Sequence, residues 1–194
     1  MIPPRLCWLA VLLLTPHASA APEPVDSAGN TPLILAAWNG DSREVLRLLE
    51  SGANPNAANE QGLTALTALT ASTWGGSGRG SVEIARSLIG HGADVNASNQ
   101  GCLTALMEVG ANGNLEFVGL LLSAGANPNV AGKDGGTALA SAAFNGRDEV
   151  VQALLQVGAN PNAKDERGAT ALQLAKEWKR WEVVRVLQSA GARE

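Results

Sequence analysis

The sequence predicts an all-α fold: a solenoid of five helix-turn-helix units with connecting β-turn fingers. Two recurring motifs carry that reading. A Thr followed two residues later by Leu recurs at Thr31, Thr64, Thr104, Thr137 and Thr170. A Gly-Ala pair recurs at Gly52, Gly92, Gly125, Gly158 and Gly191. Three of the four Thr-to-Thr intervals are equal, and the one from Thr64 to Thr104 is longer by seven. Each of the first four glycines stands at one fixed distance before the next Thr, as Gly52 does before Thr64. The extra stretch therefore lies inside the second unit, between Thr64 and Gly92. A fixed period of this kind marks a stack in which each unit buries its apolar face against its neighbours.

Each element follows from local chemistry. The Thr hydroxyl suits a helix N-cap, where it accepts from an orphan backbone N–H. Pro32 takes the first helical position, where its missing N–H costs nothing. Leu33, Ala36 and Ala37 then give the first helix a small-residue face that lets a neighbour approach closely. The second helix carries apolar residues at helical spacing, as at Val45, Leu48 and Leu49 or Val151, Leu154 and Leu155. It stops at the Gly of Gly-Ala, which can adopt the left-handed helix-ending conformation.

These units resemble ankyrin repeats, which run Gly-x-Thr-Pro-Leu-x-x-Ala-Ala, a Gly between the helices, a Leu-Leu pair and Gly-Ala-Asp-x-Asn. The resemblance covers roughly Val25 to Ala192. Two departures stand out. The family's His after Thr-Pro-Leu is replaced in every unit, by Ile34, Thr67, Met107, Ala140 and Gln173. That His ties neighbouring units together, so its loss puts inter-repeat rigidity in question. In unit three the turn Gly has moved to Gly101, and Cys102 stands in its usual place. The units are expected near 25–58, 59–98, 99–131, 132–164 and 165–194, with the insertion near 73–79. Lys176, Lys179, Arg180, Glu182 and Gln188 suit unit five as a polar C-terminal cap.

The segment over 1–20 reads differently. Arg5 is a positive start, Leu6 to Leu14 is an apolar run too short to span a bilayer, and Ala18-Ser19-Ala20 offers small residues for cleavage. A signal peptide over 1–20 is expected, followed by a short lead over 21–24 and the repeat domain over 25–194. The mature protein is expected to be periplasmic or secreted, with no membrane insertion after cleavage. Losing Arg5 takes the net charge from −4 to −5, which argues against a general nucleic-acid binder. One cysteine, Cys102, remains, so no internal disulfide can form.

A catalytic set cannot be assembled in the usual way. His91 is the one histidine after cleavage, so no Ser-His-Asp or Cys-His arrangement can be built, and no metal-ligand cluster appears. The Gly75–Gly80 stretch lacks the Gly-Lys-Ser/Thr ending of a phosphate loop and follows no strand. No cofactor and no catalysis are expected. Cys102, in an exposed turn and with His91 as a possible companion, is the one candidate for haem or redox-ligand handling.

The resemblance implies a cupped shape whose concave side, made of fingers and first helices, binds another protein. An outward position seven residues after the Thr holds Trp38, Ala71, Ala111 and Phe144, and Trp178 is expected on the same face. Asn39, Asn112 and Asn145 follow. Trp74 and Arg79 belong to the insertion. Exposed aromatics among polar groups are what interface hot spots look like. The expected role is a monomeric protein-interaction module with another protein as partner. By resemblance it is an accessory factor of a periplasmic enzyme, with an immunity protein neutralising a toxin as the alternative.

Overall fold

The computed structural model describes residues 25–71 and 79–193. The expected signal peptide, the lead over 21–24 and Trp74 lie outside the described residues. Among the described residues ten helices form and no strand does; two isolated bridges join Ser98 to Thr104 and Lys164 to Thr170.

The helices come in five pairs. They are α1 (Pro32–Trp38) with α2 (Ser42–Glu50), α3 (Ala65–Ala71) with α4 (Arg79–Gly90), and α5 (Ala105–Asn112) with α6 (Leu115–Ser123). Then come α7 (Ala138–Phe144) with α8 (Asp148–Gln156) and α9 (Ala171–Glu177) with α10 (Trp181–Ser189). First helices pack on first helices and second helices on second, which makes two rows. No helix among the described residues is long and apolar enough to cross a membrane.

The helix starts are set by the repeated Thr, with one exception. Thr31, Thr64, Thr137 and Thr170 accept from the backbone N–H three residues on, at 3.2, 3.4, 3.2 and 3.3 Å. Thr104 makes no such bond, contrary to the expectation for every unit. There the Met107 N–H turns to the Thr104 carbonyl instead, at 3.1 Å. The position of the missing His is reused in two units. Thr64 donates its N–H to the Thr67 hydroxyl at 2.8 Å, and Thr170 donates to the Gln173 amide oxygen at 2.9 Å, closing reciprocal caps. Ile34, Met107 and Ala140 cannot do this.

The helix ends follow the glycines. Gly52, Gly92, Gly125, Gly158 and Gly191 all sit at φ between 79° and 90°, the left-handed stop expected of them. Where the turn glycine of the third finger would be, Cys102 adopts φ 57°. That conformation strains any residue with a Cβ.

The insertion is partly absorbed into a helix. α4 has 12 residues where α2, α6, α8 and α10 have 9. Its end keeps register, two residues before Gly92, so the additional turn is at its start. Arg79, expected in the insertion, is instead the first residue of that turn. The surrounding glycines hide this helix from propensity, but the buried stripe of Val82, Ile84, Ala85 and Leu88 anchors it.

Both rows bury one continuous core. Its largest side chain is Phe117, fully buried on α6 among leucines such as Leu106, Leu121 and Leu139. Buried alanines, Ala37, Ala68, Ala142 and Ala175 among them, let the first helices approach. Among the described residues no buried side-chain nitrogen or oxygen lacks a hydrogen-bond partner.

Two sets of bonds tie unit to unit. At the fingers, Gln100 N–H donates to Gln61 O at 2.9 Å, Lys133 to Gly101 at 3.1 Å and Glu166 to Asp134 at 2.9 Å. At the opposite end an asparagine bridges each joint. Asn56 donates to Gly92 O at 2.9 Å and accepts from Asp94 N–H at 2.7 Å. Asn96 does the same with Gly125 and Asn127 at 3.2 and 2.8 Å, and Asn129 with Gly158 and Asn160 at 3.0 and 2.8 Å. Asn162 ends the ladder by accepting from Arg193 N–H at 2.7 Å. The asparagines and the finger backbone thus supply hydrogen bonds between units where the family's His is missing.

Candidate protein-binding face

The fingers and the first helices meet at an angle, and two grooves lie in it. The first, about 230 Å³, is lined by Asn30, Ile34, Leu35, Trp38 and, from the second finger, Asn59, Gln61 and Leu63. The second, about 200 Å³, is lined by first-helix residues including Ala111, Ser141, Phe144 and Leu174, and by Asp134, Asp165 and Arg167 of the fingers.

Trp38 ends α1 and is 40% exposed in the first groove. Leu35, one turn earlier, is 39% exposed beside it. Sequence reasoning passed over Leu35 because a Leu on a first helix reads as core. Asn39 caps α1 through its backbone N–H, which donates to Leu35 O at 3.0 Å, and its side chain is exposed. Asn112 is exposed at the end of α5.

Phe144 and Trp178 stand together. Their rings meet edge to face, with centroids 4.7 Å apart and planes at 61°. Phe144 remains 37% exposed and Trp178 49%. Trp178 stands one residue out of the register of Trp38 and Phe144. It comes eight residues after Thr170, not seven, and is the C-cap of α9, as Asn39 and Asn145 are of α1 and α7. Glu177 holds the seventh position. Trp178 reaches Phe144 from that neighbouring position because α9 packs on α7. Asn145 lines the same groove but turns its amide back to donate to Ser141 O at 2.9 Å. The structure therefore gathers Phe144, Asn145 and Trp178 at units four and five. Trp38 and Asn39 form a separate cluster in unit one.

The charges on this face divide into used and unused. Asp165 accepts from Arg167 N–H and Ala169 N–H at 2.9 and 2.8 Å and pairs with the Arg167 guanidinium at 3.2 Å. The Ala169 N–H above all, with Arg167, holds its carboxyl below the usual range. Among the described residues the Asp134 carboxylate accepts only from Gly136 N–H, at 3.0 Å, and meets no cation. Glu108 lies on α5, three residues before Ala111, half-buried and without a side-chain partner among the described residues. Burial pushes its carboxyl up.

Cys102 and His91 stand on separate elements, the third finger and the end of α4. Cys102 is half-buried in the third finger, and its N–H donates to Asn99 O at 2.8 Å. His91 is exposed at the end of α4, its Nδ1 2.8 Å from Ser87 O. Among the described residues no group of three or more His, Cys, Asp or Glu could hold a metal ion.

Comparison with known proteins agrees with the geometry. A family model described as ankyrin repeats (many copies) matches residues 17–67, and one described as ankyrin repeats (3 copies) matches 69–165 and 106–193. No curated protein matches the chain. Ankyrin repeats mediate protein–protein interaction, and the chain belongs to the ankyrin-repeat family.

Proposed function

We propose that this chain is an exported module that captures another protein on the face formed by its fingers and first helices. The observation that carries this reading is where the aromatic side chains stand. Phe117, on a second helix, is completely buried. Trp38, Phe144 and Trp178 sit on the finger face, two of them lining grooves, and stay between 37% and 49% exposed. Aromatics at the edge of a groove bury large area at small entropic cost when a partner arrives. Trp181 on α10 is exposed as well, but on the second-helix row.

The leader-like segment over 1–20 supports action in the periplasm or outside the cell. Within that setting the module serves as an accessory factor of a periplasmic enzyme. Two measurements test the reading. N-terminal sequencing of protein recovered from the native host is expected to begin at Ala21; an intact leader on the functional protein overturns export. Replacing Trp38, Phe144 and Trp178 by Ala is expected to abolish capture of the native partner from a periplasmic extract while the helical circular-dichroism signal stays. Undiminished capture overturns the face.

A further inference from the structure

We propose that the groove between units four and five receives one basic side chain, an Arg or Lys, presented by the protein partner. This rests on the protein-binding reading above and adds the chemistry of what is bound. Four features of the groove point the same way.

The first is size. At about 200 Å³ the groove is smaller than cofactor pockets, which begin near ~300 Å³, and has room for one long side chain. The second is the wall. In an edge-to-face pair, the ring that presents its edge keeps both of its own faces clear of its partner. Phe144 lines the groove, Trp178 packs against it and both residues stay partly exposed; an exposed aromatic face attracts a guanidinium or ammonium. Ala111 and Leu174 supply apolar surface for the aliphatic stem.

The third is charge. The one cation lining the groove, Arg167, is occupied by Asp165 at 3.2 Å. The Asp134 carboxylate is unpaired at the rim, with one oxygen bonded to Gly136 N–H and the other to nothing among the described residues. Glu108 stands on α5 three residues before Ala111, which lines the groove. Its half-buried carboxylate has been stripped of part of its water with no cation supplied in return. A basic side chain in the groove supplies the cation that the Asp134 carboxylate lacks.

The fourth is the way Asp134 comes to be there. Asp26, Asn59, Asn99 and Asp165 occupy the base of the other four fingers, where each side chain accepts backbone N–H bonds within its own turn. The fourth finger has Gly132 at that place. A Cβ on Gly132 would fall 2.9 Å from Asp134 Oδ1, so the glycine is what makes room for this carboxylate. The fourth finger moves its internal acceptor two residues on, to Asp134, which takes the Gly136 N–H as Asp26, Asn59, Asn99 and Asp165 take those of Asn30, Leu63, Leu103 and Ala169, and which lines the groove.

The test uses the mature protein labelled with ¹⁵N and a capped Gly/Ser peptide carrying one central Arg. A second peptide carries citrulline, which keeps the shape and loses the charge. The Arg peptide is expected to shift the Trp178 indole and the Ala111 and Asn145 amide signals in a saturable way, and the citrulline peptide is not. Asp134→Asn is expected to weaken Arg-peptide binding about fivefold. Gly132→Ala should weaken it similarly with no change in charge. Glu50→Gln, the same charge change on α2, should leave it unaltered.

Equal binding of both peptides overturns the proposal. So does an equal loss in Asp134→Asn and Glu50→Gln, which would reduce the effect to diffuse attraction, and so does the absence of shifts at the groove. Capture of the native partner separates the two levels. If capture is lost in the triple aromatic variant but kept in Asp134→Asn and Gly132→Ala, the binding face stands and the basic side chain falls. If the triple variant still captures, the face itself falls.

Discussion

Units one and three begin their second helices differently from units four and five. At the start of the second helix, Asp41 and Asn114 turn their side chains inward and cap their own helices, accepting at 3.0 Å from Glu44 N–H and Phe117 N–H. Arg147 and Arg180 hold the same position in units four and five and cap nothing. They reach back instead, donating Nε–H at 3.1 Å to Ala111 O and Phe144 O of the preceding unit. Each Arg stem crosses the turn glycine of that unit, Gly113 or Gly146, where a Cβ would fall 2.6 or 2.8 Å from its Cδ. One position can therefore strengthen its own unit or the joint behind it. The candidate groove is in the region where the joints are clasped.

The largest expected effect is at the seam. Phe117→Ala, in unit three, should cost about 3–5 kcal/mol because the fully buried ring leaves a cavity. Urea denaturation should then show the clasped units melting separately from the first two. A single sharp transition would mean that the joints are equivalent and the comparison is broken. Next come the caps. Thr170→Ala should cost about 1–2 kcal/mol by opening a complete capping box, whereas Thr104→Ala should lose no cap bond at all.

A smaller effect sharpens the comparison directly. Arg147→Ala should cost about 1 kcal/mol, the worth of one exposed hydrogen bond to a carbonyl. Arg147→Asp should recover most of that by restoring a cap. If both variants lose the same amount, the exchange of cap for clasp is wrong. Smaller still, Cys102→Gly should stabilise by about 0.5–1 kcal/mol, because φ 57° no longer strains a Cβ. Each of these is read from a chemical-denaturation midpoint.

The smallest effect depends on pH. The folded pKa of Glu108 lies above its unfolded value, so the folded chain holds this proton more tightly. Stability from this group is therefore greatest below the unfolded pKa and falls as pH rises through the interval up to the folded one. Glu108→Gln should stabilise at neutral pH and make little difference at pH 4. No gain at neutral pH would mean that the carboxylate is already compensated.

Much of this was legible in the sequence because it depends on period. The Thr starts, the glycine stops and the extra residues of unit two all follow from counting, since each acts within its own turn of chain. What period cannot convey is reach across a joint. Nothing in the spacing says that Arg147 abandons its cap, that Trp178 meets Phe144, or that Gly132 makes room for Asp134. Those depend on side-chain lengths measured against a neighbour's backbone. The failed cap of Thr104 has the same origin: the Thr holds the right place in the period, but the Met107 N–H bonds to its carbonyl rather than its hydroxyl. The exposed aromatic face was readable as composition, and its division into two clusters was not.

The asparagine ladder addresses main-chain atoms only. Between units one and two its partners are 36 and 38 residues apart in sequence, against 29 and 31 at the next joint, yet the bonds are 2.9 and 2.7 Å. The fasteners of the stack thus ignore both the identity of neighbouring side chains and the length of what is looped out between them. A duplicated unit would arrive carrying its own fastener. Such a chain can lengthen, or rewrite its inner lining one unit at a time, without renegotiating how the pieces hold together.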